Sequence, residues 1–389
     1  MHQEDEDALV EAIHRFVVKE IKPRVAQLEA QDEYPHDVIA RMVELGLFAI
    51  VVPEQYGGLG LSVPVYARLM EELAAGWTSL PSFINSHCSV SSILARFGTE
   101  AQKSRYLPRL ASGELRGAIA LTEPNAGSDL QAIRTTALPA EDGSLRLRGG
   151  KIFITNGAQA SLYLVLVKTD PSAATPAKGG ISICIVEKGT PGFSVAGLFH
   201  KMAFKHVDTA ELVFDDVKLG ADAIVGGVPG HGMAQLLDVI ETGRIAIAAS
   251  AVGLGRSALN ASLEFARQRE TFGVPIANHQ AVQCLLAEMA AKVMAARALV
   301  MEAAREKQQG RRCDMIAGMA KLIASEMSAE VSLAAVRVHG GYGYVSEFPV
   351  ERLYREAPIY IVTEGTNEIQ KLVIARRLLA GDGALCGLA

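Results

Sequence analysis

An α+β multidomain fold, helical at both ends with an antiparallel β unit between, is what the sequence predicts, and three observations carry the prediction. Apolar residues recur at spacings of three and four through the first hundred residues, the period of an amphipathic helix. Between about residues 116 and 217 the pattern changes to short runs of β-formers separated by turn residues. From Met233 onward the helical period returns. A chain of 389 residues is too long for one small core and has room for two or three packed units with a sizeable cavity. The changes of period divide it into 1–116, 117–231 and 232–389.

Within the first unit, Leu9, Ile13, Phe16, Val17, Ile21, Val25 and Leu28 mark one helical face. It bends near Pro23, whose ring removes a backbone donor and crowds the preceding turn. The apolar run 38–45 stops at Gly46, which suits the left-handed end of a helix. Segments 63–75 and 89–96 are also helix-like. Strands are expected at 118–121, 145–148, 152–155, 162–167, 181–186 and 212–214, with turns at Glu141-Asp142-Gly143 and Pro191-Gly192. In the last unit Val282, Leu285, Leu286, Met289 and Val293 form one stripe, and 315–338 holds another. The apolar stretch 245–255 lies between Arg244 and Arg256 and falls short of the roughly 18 to 20 residues that span a bilayer. A buried helix segment is expected there, with no membrane partner.

Composition excludes several function classes. The net charge is −5 and Lys and Arg are not gathered into a basic block, so nucleic acid is not an expected partner. Cys88, Cys184, Cys284, Cys313 and Cys386 are scattered without C-x-x-C spacing, which fits neither a disulfide framework nor a zinc site. They read as reduced packing residues of a cytoplasmic protein. Residues 1–7 are acidic where an export signal is basic and then apolar, so no export is expected. Neither phosphate-binding glycine signature is present; the clusters 226–232 and 340–343 lack the strand-then-helix setting. The nine histidines are dispersed, and no catalytic metal is expected.

Four longer strings carry chemistry: Thr122-Glu123-Pro124-Asn125-Ala126-Gly127-Ser128-Asp129, Lys151-Ile152-Phe153-Ile154-Thr155-Asn156-Gly157, Arg269-Glu270-Thr271-Phe272-Gly273, and Glu364-Gly365-Thr366-Asn367-Glu368-Ile369-Gln370. Pro53-Glu54-Gln55-Tyr56-Gly57-Gly58-Leu59-Gly60, Phe97-Gly98-Thr99-Glu100 and Pro349-Val350-Glu351-Arg352-Leu353-Tyr354-Arg355 support them. In this order and spacing, over nearly the whole chain, they resemble the acyl-CoA dehydrogenase family. The resemblance implies an N-terminal helical domain, a middle β domain and a C-terminal four-helix bundle, with FAD between the last two. It matches the α, β, α order read from periodicity.

By that resemblance, Leu121, Thr122, Gly127, Ser128, Phe153 and Thr155 line the flavin, whose polar edge needs hydrogen-bond donors. Thr155 is also an ordinary strand residue by propensity. Phe153 stands where the family usually has Trp, keeping an apolar wall without the indole donor. Arg269, Phe272 and Gln280 match residues that reach the adenine half of a neighbouring subunit's FAD, which implies an oligomer, at least a dimer and by family habit a homotetramer. Arg269 taken alone is an ordinary solvated side chain. Arg337, Gly340 and Gly341 resemble a Gln-x-x-Gly-Gly segment with Arg for Gln; Arg cannot accept a hydrogen bond, so the contact changes in kind. Thr366 and Glu368 match contacts to the adenosine or its phosphates.

Taking an α proton from a thioester needs a nearby base and donors for the developing oxyanion. The resemblance makes Glu364 that base and flavin N5 the hydride acceptor, the product being the trans-2-enoyl thioester. Some relatives carry the base just before the arginine matched by Arg244; here that residue is Gly243, which cannot serve. Ser128, Glu241, Arg244 and Gly365 match positions turned to the acyl-CoA. From spacing alone Glu364 is equally a helix N-terminal acid, and Arg244 a surface ion pair with Glu241. Thr363 and the polar stretch Asn85-Ser86-His87-Cys88-Ser89 favour a short or polar acyl group, with His87 itself a satisfied helix residue. An electron-transfer flavoprotein is the expected acceptor. The alternatives are a carrier-protein thioester as substrate, oxygen as acceptor, or a flavin-binding protein without catalysis.

Overall fold

The structure, a computed structural model, describes residues 3–31, 33–173 and 179–381. Six helices come first: α1 (Gln3–Phe16), α2 (Val25–Gln31), α3 (His36–Glu44), α4 (Val63–Gly76), α5 (Ser79–Phe97) and α6 (Glu100–Ala111). The expected bend lies between α1 and α2, where a wide turn over Val17–Ile21 is followed by a tight one over Lys22–Arg24 that contains Pro23. Gly46 follows α3 with φ 74°, a conformation that suits glycine. Helix α5 starts well before the expected residue 89, because Pro81 falls in its first turn, where no intrahelical donor is lost. Periodicity did not reveal α6; its start is a capping box in which Gln102 N donates to Thr99 Oγ1 at 3.2 Å and Thr99 N to Gln102 Oε1 at 3.0 Å.

Seven strands form the middle sheet: β1 (Gly117–Ala120), β2 (Thr136–Pro139), β3 (Leu145–Thr155), β4 (Leu162–Lys168), β5 (Ile181–Glu187), β6 (Phe193–Leu198) and β7 (Thr209–Leu219). Their order is β1-β4-β2-β3-β7-β6, with β5 also on β4. The antiparallel expectation holds for β2–β3, β3–β7, β4–β5 and β6–β7, and needs correction at β1 and β2, which pair with β4 in parallel. The chain between β1 and β4 is long enough for the crossover that a parallel pair requires. Strand β3 joins two expected runs through irregularities between Leu147 and Gly149 and between Lys151 and Ile154. Along β4, Leu162, Leu164 and Leu166 enter one core while Tyr163, Val165 and Val167 enter another. A strand buried on both faces shows no polar alternation, which explains its continuous apolar run. Short β2 and largely exposed β6 carried too weak a pattern to be read.

The last helices are α7 (Gly232–Gln268), α8 (Gln280–Gln308), α9 (Asp314–His339), α10 (Pro349–Glu356), α11 (Ile359–Val362) and α12 (Asn367–Leu379). A two-stranded hairpin, β8 (Glu270–Thr271) and β9 (Val274–Pro275), turns the corner from α7 to α8. Helix α9 packs on α7, α8 and α12, giving a four-helix bundle, and α4 lies against α7. No helix among the described residues is long and apolar enough to cross a membrane. Cys88, Cys184 and Cys313 are buried, but Cys284 is exposed on α8, so the packing role expected for it is corrected; Cys386 lies outside the described residues.

Residues 245–255 are buried against α4 and α9, apart from Ile247, which is half-buried. A Cβ on Gly253 would stand 2.7 Å from Ala74 Cβ and strike the Glu71 carbonyl oxygen. We therefore expect Gly253→Val to pry α4 from α7 at a cost of about 3 kcal/mol, lowering the melting midpoint by several degrees. Thermal denaturation followed by circular dichroism checks this, and an unmoved midpoint refutes it.

Candidate active site

Thr363-Glu364-Gly365-Thr366 is the turn between α11 and α12. Glu364 has φ 53° and Gly365 φ 86°. Left-handed backbone is uncommon for a glutamate and costs of order 1 kcal/mol or more, so the surroundings must impose it. Thr366 caps α12, its Oγ1 accepting from Ile369 N at 3.4 Å. Gln370 Nε2 donates to the carbonyls of Gly365 at 3.0 Å and Glu364 at 3.4 Å. Lys321 Nζ, from α9, donates to Ile361 O at 2.8 Å and Asn367 Oδ1 at 2.9 Å, one on each side of the turn. Glu364 thus precedes the helix cap instead of occupying the first helical turn.

Its carboxyl enters the interior. Glu364 Oε2 is 3.1 Å from where a Cβ on Gly243 would stand, so the carboxyl occupies room beside α7 that a side chain at residue 243 would take. From α5, Asn85 Nδ2 donates to Glu364 Oε1 at 3.2 Å. From α4, Tyr66 Oη donates to Asn85 Oδ1 at 3.2 Å. Burial raises the Glu364 carboxyl above 4.5; the nearby Arg244 charge, the Asn85 hydrogen bond and the Lys321 charge oppose this without cancelling it. Lys321 is itself lowered by burial to about 8, with the Glu364 and Glu368 carboxylates pulling it back up.

Arg244 is buried, and its Nε has no hydrogen-bond partner among the described residues. The surface pair with Glu241 does not form: Glu241 Oε2 instead meets Lys307 Nζ at 2.7 Å and Cys313 Sγ at 3.2 Å. Burial lowers the Arg244 pKa, against the pull of Glu364, Glu241 and Asp314. A buried charged donor without an acceptor costs free energy that a ligand acceptor would recover. Glu364, Gly365, Arg244 and Glu241 therefore lie in one inner region.

The two middle strings form a second group. Ile152 N donates to Thr122 O at 2.9 Å, joining them. Fully buried Lys151 donates from Nζ to Leu121 O at 2.9 Å and to Glu123 Oε1 at 2.8 Å. Glu123 also accepts from Arg134 N at 2.6 Å and Thr135 N at 3.0 Å. Burial lowers Lys151 to about 8 against the pull of Glu123, which leaves it mainly protonated at neutral pH. At the β3 irregularity Phe153 has φ 58° and is 57% exposed, its ring 4.7 Å from that of Phe199. Thr155 pairs with Thr209, Ser128 is exposed, and a Cβ on Gly127 would meet only Thr122 Cγ2 at 3.7 Å.

A third group surrounds a cavity of about 510 Å³ whose lining includes Phe265, Arg269, Arg337, His339, Gly340, Gly341 and Tyr342. The Arg269 guanidinium lies 5.4 Å over the Tyr342 ring, and His339 stacks on Phe265 at 4.3 Å. Among the described residues nothing beyond their chain neighbours lies within 4 Å of a Cβ built on Gly340 or Gly341, so their backbone is approachable. Phe272, at the hairpin tip with φ 53°, is 97% exposed; Gln280 is the exposed first residue of α8, and neither lines the cavity. Glu368 is exposed beyond the α12 cap. Two guanidinium groups, open glycine backbone and ring faces suit a pyrophosphate joined to a flat heterocycle, so the residues fit the FAD that the resemblance implies.

Asn85, Tyr66, Lys321, Gln370 and Lys151 were not singled out as site residues from sequence. Asn85 begins the polar stretch 85–89, and Lys321 interrupts the apolar pattern of α9; those were the available signals. His87 is satisfied, with Nε2 bonded to Phe48 O at 3.0 Å and Nδ1 accepting from Gly117 N at 3.2 Å, and burial lowers its pKa to about 4. Removing one partner of a buried ion pair leaves the other uncompensated. Lys151→Met is therefore expected to destabilise the protein by about 3–5 kcal/mol. Adding Glu123→Gln is expected to restore part of that stability in chemical denaturation, and a double variant no better than the single one refutes the pairing.

Family models for the acyl-CoA dehydrogenase N-terminal, middle and C-terminal domains match residues 3–114, 118–217 and 230–379. An acyl-CoA dehydrogenase of Bacillus subtilis (strain 168) is 41% identical over 383 residues, 98% of this chain and 100% of that one. Butyryl-CoA dehydrogenase from Megasphaera elsdenii superposes with a TM-score of 0.92 at 37% identity, covering 97% of this chain and 99% of that one. A chain from a structure described as the electron transferring flavoprotein of Acidaminococcus fermentans gives 0.91 at 38% identity, covering 97% and 99%. The chain belongs to the acyl-CoA dehydrogenase family, FAD-dependent oxidoreductases that act on acyl-CoA.

Proposed function

We propose that the chain converts a short or polar acyl-CoA to its trans-2-enoyl thioester, with Glu364 as the base that takes the α proton. The observation that carries the proposal is the Glu364 carboxyl, which fills the space that Gly243 leaves beside α7, next to the charge of buried Arg244. A base is most effective when its pKa lies nearer the working pH, and burial moves Glu364 in that direction. In this reading the backbone N–H of Glu364 polarises the thioester carbonyl. Arg244, with its unpartnered Nε, serves the substrate together with Ser128, Glu241 and Gly365. Bound FAD supplies the acceptor for the hydride that leaves the β carbon.

The cofactor assignments belong to the same proposal. Leu121, Thr122, Gly127, Ser128, Phe153 and Thr155 face the flavin, and Thr366 and Glu368 the adenosine end. Arg269, Phe272, Gln280, Arg337, Gly340 and Gly341 serve the FAD of a neighbouring copy in a homotetramer. The exposed Phe272 ring and the cavity beside two arginines support this. The likeness to the Acidaminococcus chain supports an electron-transfer flavoprotein as acceptor. The domains in this reading are 1–116, 117–231 and 232–389, supported by the change to strand at Gly117 and back to helix at Gly232. A cytoplasmic location is kept too, supported by the free buried thiols of Cys88, Cys184 and Cys313.

Glu364→Gln is expected to reduce kcat by roughly 10²–10⁴-fold while FAD stays bound, read from turnover and flavin absorbance. The base must be ionised, and burial holds its pKa above 4.5. In the wild type, kcat/KM should therefore climb with pH through a midpoint above that value and be lost below it; a midpoint at or below 4.5 speaks against Glu364. Across a panel of straight-chain acyl-CoAs, kcat/KM is expected to peak at short chains. A continued rise toward long chains overturns the substrate class.

A further inference from the structure

Tyr66 has no role in the function as stated so far and Asn85 enters it only within the polar stretch 85–89, yet the two form a polar path through the interior to Glu364. Asn85 is buried on α5 and Tyr66 on α4. Among the described residues, Asn85 supplies the side-chain hydrogen bond on the Glu364 carboxyl, 3.2 Å from Nδ2 to Oε1. The charges that face this carboxyl, Arg244 on α7 and Lys321 on α9, act on it through space. Gly243 contributes no side chain.

The two contacts made by the Asn85 amide are met together in one orientation. An ionised carboxylate only accepts hydrogen bonds, so the amide must turn its NH₂ toward Glu364. That leaves Oδ1 facing away, where Tyr66 Oη donates to it at 3.2 Å. Reversing the amide would set its oxygen against the carboxylate and lose the favourable contact. The carboxylate selects this orientation, and Tyr66, whose hydroxyl also meets Cys88 on α5, supplies the donor that Oδ1 then needs.

We propose that Asn85, supported by Tyr66, is a positioning residue that holds the Glu364 carboxylate in place for proton abstraction. One carboxyl oxygen is engaged by the amide, leaving the other to take the proton as the α C–H bond breaks. The pair favours the ionised form against burial, so it extends activity toward lower pH. This inference rests on Glu364 being the base.

The test compares kcat and KM as functions of pH for wild-type holoenzyme, Asn85→Leu, Tyr66→Phe and Glu364→Gln. Asn85→Leu keeps the branching and heavy-atom count and removes the donor; its kcat/KM should fall about tenfold at the acidic end, recover as pH rises, and show an acid limb moved upward. Tyr66→Phe should move the limb the same way by less, because Asn85 Oδ1 then loses its donor while Nδ2 keeps the carboxylate. Tyr66→Phe loses a single hydroxyl, so it carries the test should Asn85→Leu not fold. The infrared band of protonated Glu364, identified by its loss in Glu364→Gln, should follow the same limb without turnover. A pH profile unmoved in both variants, or activity lost equally at every pH, overturns the positioning role. If that happens while Glu364→Gln is inactive, the base assignment stands alone; an active Glu364→Gln removes both.

Discussion

Glu364 is held in left-handed backbone between two helix ends, and the inner site is arranged around that constraint. A free chain would relax the turn toward the broad allowed regions, swinging the carboxyl off its line. Lys321 prevents this by bonding the last turn of α11 and the first residue of α12 at once, while Gln370 holds the intervening carbonyls. The strain is offset by contacts that exist only when α9, α11 and α12 are packed together. The helical bundle thus supplies orientation as well as stability.

The same principle recurs at other strings. Phe153 and Phe272 share positive φ with Glu364, and each sits where a ring is turned outward from its local element. Such backbone persists only where neighbouring structure over-determines it. At Phe153 the strand irregularity and the Thr122–Ile152 hydrogen bond impose it. At Phe272 the tight hairpin of β8 and β9 does so.

Buried polar groups tie these places to the scaffold. Lys151 and Glu123 gather the loop after β1 onto β3, and Asn85 and Tyr66 link α5 and α4 to the carboxyl. Each is costly unless its partners are in place, so each gives its arrangement a single preferred geometry. Gly243 and Gly253 do complementary work on α7, one leaving room for a carboxyl and the other letting α4 approach.

Local pattern determined much of this protein. Helical and strand periods revealed the α, β, α order, the bend at Pro23 and the buried stretch 245–255, because each depends on neighbours a few residues apart. The motif strings identified the family and Glu364. Short β2, exposed β6, the start of α5 and the parallel pairing of β1 with β4 were not legible, since those depend on what covers each face and on which strands meet. Cys284 looked no different from its buried counterparts. Asn85 and Glu364 are 279 positions apart, and Lys321 and Asn367 are 46 apart. Side-chain periodicity records only which face of its own element a residue occupies. Which distant group that face meets is decided when helices and sheet pack, and only then does Asn85 become a partner of Glu364.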